Sequence, residues 1–213
     1  LYGDDSAKAK AEAIKNTIRA RAFDGEFFED NLVRENGKLV RAGNVTETCQ
    51  YYAFFTGVAN KADYPALFET VLTSFGPLRS ADVYPNIPRS NAFIGNFLRL
   101  ETLDRYGEEE TILREFTPYF GRMSRRTGTL WENNDPHASC CHGFASYICV
   151  LYAKIAFGYL GFDETYKTII LRENFRLSGS ARFPVPGGFV SIEITNGTRA
   201  VSIPDGYELK IVK

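Results

Sequence analysis

Residues 127–143 hold the only tryptophan and both histidines of the chain, with two acids among them, in a polar stretch between two apolar segments. An indole next to a carboxylate is a pairing suited to sugars. Trp131 offers an apolar platform for the C–H face of a pyranose, and Glu132 can take a proton from water or a hydroxyl. The same residues would also serve a structural loop, with Glu132 as a helix cap or an ion-pair partner. His142 opens the last long helix, where a neutral imidazole could donate to a substrate hydroxyl or simply be satisfied within the structure. His137, beside Pro136, reads as a surface residue. Elsewhere, Glu47 enters a helix in Thr46-Glu47-Thr48, next to Gln50, Tyr51 and Tyr52. It is either a first-turn acid favoured by the helix dipole or a carboxylate buried for function. No glycine-rich phosphate loop, Ser–His–Asp signature or HExxH is present.

The elements that must position these residues come first as helices. The Ala-rich segment 6–24 carries Ile14, Ile18 and Ala22 on one stripe, with Lys and Arg opposite. Segment 25–43 reads as a loop holding a short hairpin that turns at Glu35-Asn36-Gly37-Lys38. Further helices are expected over 44–59, buried nearly all round, over 66–75, and over 90–107 with Ser90 or Asn91 as cap. Two more follow, over 108–123 and 140–160, the last one the most apolar. Gly57, Gly95 and Gly158 are expected inside helices, marking close packing. A long loop, 76–89, contains Pro77, Pro85 and Pro88. Near Glu173 the texture becomes period-two, with turn signals at Gly187-Gly188, Asn196-Gly197 and Pro204-Asp205-Gly206, which predicts three or four antiparallel strands. The expected division is therefore a helical-hairpin domain, 1–172, and a small β domain, 173–213.

Composition narrows the function classes. The 213 residues carry 25 Lys+Arg against 26 Asp+Glu, so a phosphate-contacting nucleic-acid binder or a polybasic membrane-surface protein is disfavoured. With 44% hydrophobic residues the chain can bury a sizeable core. Aromatic residues reach 14%, and most are expected in that core. Cys49, Cys140, Cys141 and Cys149 form neither a disulfide framework nor a CxxC pair, and no metal or other cofactor is expected. Cys149 is placed on the apolar face of its helix. The chain opens on residues that lack the chemistry of a secretory signal, and the apolar stretch 143–162 reads as a buried helix instead of a membrane span.

Thr129-Leu130-Trp131-Glu132 followed by Ser139-Cys140-Cys141-His142-Gly143 resembles the "TTLWE … S-x-N-H-G" region of bacterial α-L-rhamnosidases, glycoside hydrolase family 78. Thr46-Glu47-Thr48-Cys49-Gln50 resembles that family's "T-E/Q-T-Q" helix start. Residues 90–107 resemble its "G-x-L-x-x-L-x-x-x-G" helix, and 183–212 its C-terminal β segment. The resemblance runs from about Phe27 to the end. It implies a mainly α fold of (α/α)6-toroid type followed by a small antiparallel β segment. It also implies inverting hydrolysis of terminal α-L-rhamnosides by two carboxyl groups roughly 6.5–9.5 Å apart. Carried over by position, Glu132 matches the general base, Trp131 a wall of the rhamnose subsite and His142 a contact to sugar hydroxyls. Glu47 matches a wall or hydrogen-bonding residue.

Two departures qualify what the resemblance implies. Six helices are expected where the toroid has twelve, and nothing before Glu47 resembles the acidic, Trp-containing motif that holds the family's general acid. The chain therefore reads as about half a barrel, not active alone, whose exposed apolar faces favour self-association. Cys141 stands where the family has Asn, which weakens one hydrogen-bonding position. The expected partner is a rhamnose-containing glycan or glycoside, with no nucleic acid and no membrane. The alternatives are a non-catalytic carbohydrate-binding module and another (α/α)-toroid glycosidase, such as an unsaturated-uronyl hydrolase, for which Arg122, Arg125 and Arg126 would be the cations.

Overall fold

The computed structural model describes residues 4–212, which form two compact units dividing between Ser146 and Tyr147. The first unit opens with helix α1 (Asp5–Ala22), capped by the Asp4 carboxylate on the Ser6 amide at 2.9 Å. No side chain of α1 is buried. Arg19 ties it to the unit by donating to the Val58 carbonyl at 2.7 Å and the Gly57 carbonyl at 3.0 Å. Strands β1 (Leu32–Glu35) and β2 (Lys38–Arg41) form the expected hairpin. Its turn is Asn36-Gly37, both at positive φ, the pairing that a two-residue turn between right-twisted strands requires.

Helix α2 (Glu47–Phe55) starts where Thr46 accepts the Cys49 amide at 3.2 Å. It ends four residues short of the expected 59, at a left-handed Gly57. It is not buried all round, since Tyr52 is exposed. Helix α3 (Pro65–Glu69) continues into a π-helical turn, Thr70–Ser74. Helix α4 (Ile94–Arg105) begins later than expected. Asn91 still satisfies its first turn, accepting the Gly95 amide at 2.9 Å. Helix α5 (Glu109–Glu115) passes through a π turn, Phe116–Phe120, into α6 (Gly121–Thr127). Pro118 within that turn removes one ladder donor, a sufficient cause for the wider hydrogen bonding. The core gathers Phe27, Phe28, Tyr51, Phe54, Leu67, Phe68, Val71, Phe75 and Leu98, contributed by the segment before the hairpin and by α2, α3 and α4.

The last expected helix is much shorter than 140–160. A 3-10 turn, Gly143–Ser146, closes the first unit, and helix α7 (Tyr147–Phe157) opens the second. Gly158 at φ 71 ends it, outside the helix as Gly57 is; only Gly95 of the three glycines lies within one. Cys149 is exposed, not on a buried face.

Strands β3 (Tyr159–Asp163) and β4 (Thr168–Arg172) follow, where the sequence reading has the last helix running to 160 and no strand before 173. Strands β5 (Gly179–Val185), β6 (Gly188–Thr195) and β7 (Thr198–Ser202) make an antiparallel meander. The final strand, β8 (Glu208–Val212), leaves that meander and pairs in parallel with β4, so the ending is not purely antiparallel. Ile169 and Leu171 of one sheet and Val190, Ile192 and Ile194 of the other share a core with Ala156 and Phe157 of α7. The change of texture near Glu173 thus falls inside the second unit, because α7 and the β3–β4 pair bury their apolar faces with the later strands. Among the described residues no helix is long and apolar enough to cross a membrane.

Candidate functional site

Helix α6 stops at Gly128, whose left-handed φ of 76 turns the chain back sharply. Two short arms then run side by side. The Glu132 amide donates to the Ser139 carbonyl and the His142 amide to the Leu130 carbonyl, both at 2.9 Å. The Thr129 hydroxyl closes the same pairing on the Cys140 carbonyl. Trp131 goes inward and is fully buried, its indole N–H donating to the Thr127 hydroxyl at 2.8 Å. The guanidinium groups of Arg122 and Arg126 lie 5.4 and 5.7 Å from its ring centre. Glu132 is half-buried, and among the described residues none forms a hydrogen bond or ion pair with its carboxylate.

A third segment, residues 90–93, knits the expected site residues together. The Ala92 amide donates to the Glu132 carbonyl at 3.0 Å. Phe93 places its ring centroid 4.6 Å from that of half-buried His142. The Ser90 amide donates to the Glu47 carboxylate at 3.0 Å. Asn134 adds a cross-tie, its side-chain amide donating to the Ser90 carbonyl at 3.1 Å while its own side-chain oxygen accepts from the Tyr119 hydroxyl. Burial and the nearby Glu47 carboxylate raise the Tyr119 hydroxyl above the ordinary phenol range, so it stays a donor. Nothing in the sequence marks Ser90, Ala92, Phe93 or Asn134 as site residues, because their roles are backbone contacts and ring contacts with distant segments.

Glu47 is a different kind of group from Glu132. It is 1% exposed, and both carboxylate oxygens are occupied. One accepts from the Ser90 amide and from the Tyr51 hydroxyl at 3.1 Å. The other lies 3.0 Å from Arg79 and accepts the Gly76 amide at 3.4 Å. The carboxylate therefore holds both ends of the proline-containing loop 76–89. Deeper in, Arg99 pairs with Glu115 at 2.5 Å, and burial lifts the Glu115 carboxyl above its usual range against the pull of that arginine. Burial, reinforced by Glu47, likewise pushes the Tyr51 hydroxyl well up.

The arrangement corrects two expectations. Trp131 has no free face, so it cannot wall a sugar subsite here; it packs between Thr127 and two arginines. Glu47 is sealed from solvent and serves the fold instead of a ligand. Arg122 and Arg126, expected as cations for an acidic substrate, are exposed, with their guanidinium groups over the Trp131 ring. Residues 90–93 touch the Glu132 backbone through the Ala92 amide and the His142 ring through Phe93. His137 is exposed as expected. Two clefts lie elsewhere, one of about 430 Å³ beside α1 and the β1–β2 hairpin and one of about 450 Å³ beside Arg79 and Glu115. Among the described residues no group of three His, Cys, Asp or Glu side chains gathers as a metal site.

Comparison with solved structures places this architecture. A GH78 family rhamnosidase of Bacillus sp. GL1 superposes with a TM-score of 0.71 over 98% of this chain, at 19% sequence identity. The two share a fold. This chain spans 23% of that enzyme's length. No family model and no curated protein matches the sequence. At such low identity the likeness speaks for the arrangement of helices and strands, and the chemistry has to be argued from the side chains.

Proposed function

We propose that this chain carries the general-base side of an inverting glycoside hydrolase site acting on terminal α-L-rhamnosides. The observation that carries the reading is Glu132: a half-buried carboxylate with no protein partner, on a backbone held from both sides by the Ser139 carbonyl and the Ala92 amide. A general base must be positioned and yet unpaired, because an ion pair or donated hydrogen bonds would lower its proton affinity. In the reaction, a Glu132 oxygen removes a proton from water as the water oxygen bonds to the anomeric carbon. A second carboxyl group protonates the departing glycosidic oxygen. Of the other acids singled out, Glu47 cannot do this, since it is buried and ion-paired. The proton donor of this reading is therefore a carboxyl group other than Glu47. His142, whose amide is held by the Leu130 carbonyl two residues before Glu132, is the imidazole this reading assigns to a sugar hydroxyl. The shared fold with a rhamnosidase supports the substrate class.

The test uses the full-length polypeptide that contains this chain and p-nitrophenyl α-L-rhamnoside. Glu132→Gln should lower kcat by roughly 10²–10⁴-fold, the usual contribution of a positioned general base. Azide added to Glu132→Ala should restore turnover and give the β-configured rhamnosyl azide, since a small anion then attacks where water did. Wild-type turnover in Glu132→Gln would overturn the assignment.

A further inference from the structure

We propose that the outer edge of β8 is a self-recognition surface, on which a second copy of this chain pairs its own β8 in antiparallel register, Leu209 opposite Leu209.

Strand β8 lies at one end of the β3-β4-β8 sheet, and among the described residues β4 is the strand it pairs with. In that parallel pairing the Glu208 amide donates to the Lys167 carbonyl at 2.8 Å, and the Glu173 amide to the Val212 carbonyl at 2.7 Å. Alternate residues of a strand bond to opposite sides. Residues 208, 210 and 212 are therefore used toward β4, while the amides and carbonyls of Leu209 and Ile211 face outward. Such an edge is a template for another strand.

The apolar side chains agree with that reading. Leu209 and Ile211 stand in register with Ile169 and Leu171, which are closed to solvent. Leu209 and Ile211 are themselves 41% and 57% exposed, so the apolar face of the sheet runs on past the core that covers it. A strand added at this edge would shield both.

Charge selects the occupant and its register. Glu208 and Lys210, in register with Thr168 and Ile170, are exposed, and among the described residues neither forms an ion pair. Two copies of β8 centred on Leu209 set Glu208 of each copy opposite Lys210 of the other. These fall at the non-hydrogen-bonded positions, where opposed side chains come closest. Centring on Glu208 or on Lys210 would instead oppose like charges. The strand is thus complementary to itself about one two-fold axis, the condition for a closed dimer.

Sedimentation velocity on the 213-residue chain should show a monomer–dimer equilibrium in the micromolar range that moves toward monomer as salt is added. Lys210→Glu should weaken the dimer roughly tenfold, because two attractive pairs become two like-charged ones, and adding Glu208→Lys should restore it. Both positions are exposed, so these variants should melt as the wild type does. Cross-linking reads the register, in a background where the exposed Cys141 and Cys149 are replaced by serine. Leu209→Cys should give a dimer that dithiothreitol splits, since a directly opposed hydrogen-bonded pair has its Cα atoms about 5.5 Å apart, within disulfide reach. Ile211→Cys, which this register sets opposite Tyr207, should not. A chain that stays monomeric at every concentration overturns the proposal. So does a dimer that Lys210→Glu leaves intact, or one in which Leu209→Cys fails to cross-link.

Discussion

Replacing Glu47 by alanine would leave Arg79 buried without its counter-ion and the Tyr51 hydroxyl and Ser90 amide without their acceptor. Breaking a buried pair by removing one partner costs about 3–5 kcal/mol, so Glu47→Ala should lower the urea midpoint strongly, and Glu47→Gln, which keeps an acceptor oxygen, by less. Glu132→Gln should leave the midpoint within about 0.5 kcal/mol of wild type, because a half-exposed carboxylate without a partner adds little to stability. The contrast separates the two acids by role. The cysteines divide in the same way. Cys49 is pushed up to about 12, by burial and then by the neighbouring Asp30 carboxylate. At pH 8 it should stay protonated and react with iodoacetamide far more slowly than the exposed Cys141. Peptide mass spectrometry after brief alkylation reads this directly, and prompt modification of Cys49 would contradict its placement.

At the scale of elements, the loop 76–89 and the segment 90–93 decide whether the site exists. The loop is clasped at Gly76 and Ser90 by Glu47, and in its interior Arg79 donates to the Ile87 carbonyl at 2.7 Å. Segment 90–93 then passes under α4, where it meets a glycine. A Cβ at Gly95 would overlap the Ser90 hydroxyl outright, and Ser90 is itself held by Thr48 at 3.1 Å. Gly95→Ala should therefore push Ser90 off Glu47 despite alanine's better helix propensity. The expected cost is about 1–3 kcal/mol of overpacking, with faster amide exchange at Ser90 and Ala92 by hydrogen–deuterium exchange. A stabilised Gly95→Ala protein would show that the segment can yield. The helix through the Phe116–Phe120 π turn matters to the same site, since it sets Tyr119 against Asn134 and Arg122 against Trp131.

Over the whole molecule, charge is nearly balanced and the isoelectric point is near 6.2. Solubility should pass through a minimum close to pH 6, measurable as turbidity across a pH series, because net repulsion vanishes there. The same balance leaves no general attraction for polyanions, and retention on heparin at physiological salt would be contrary to it.

Local chemistry was legible where it is settled by neighbours in the chain. Asn36-Gly37 determines a hairpin turn, Thr46 a helix start, and the period-two run after Glu173 determines strands, since each depends on the φ/ψ or hydrogen bonding of adjacent residues. The stretch containing Trp131, Glu132 and His142 was legible as the place to look. What tertiary structure decided is which side of each element faces the core. Trp131 and Glu132 are neighbours in the chain, and only packing against Thr127, Arg122 and Arg126 of α6 decides that the indole goes inside. The same holds for Glu47, whose burial depends on Arg79 and Ser90, dozens of residues away. It holds for β8 too, whose parallel pairing with β4 no local pattern encodes. Backbone preference is written residue by residue, whereas burial is a contest among all segments for one core.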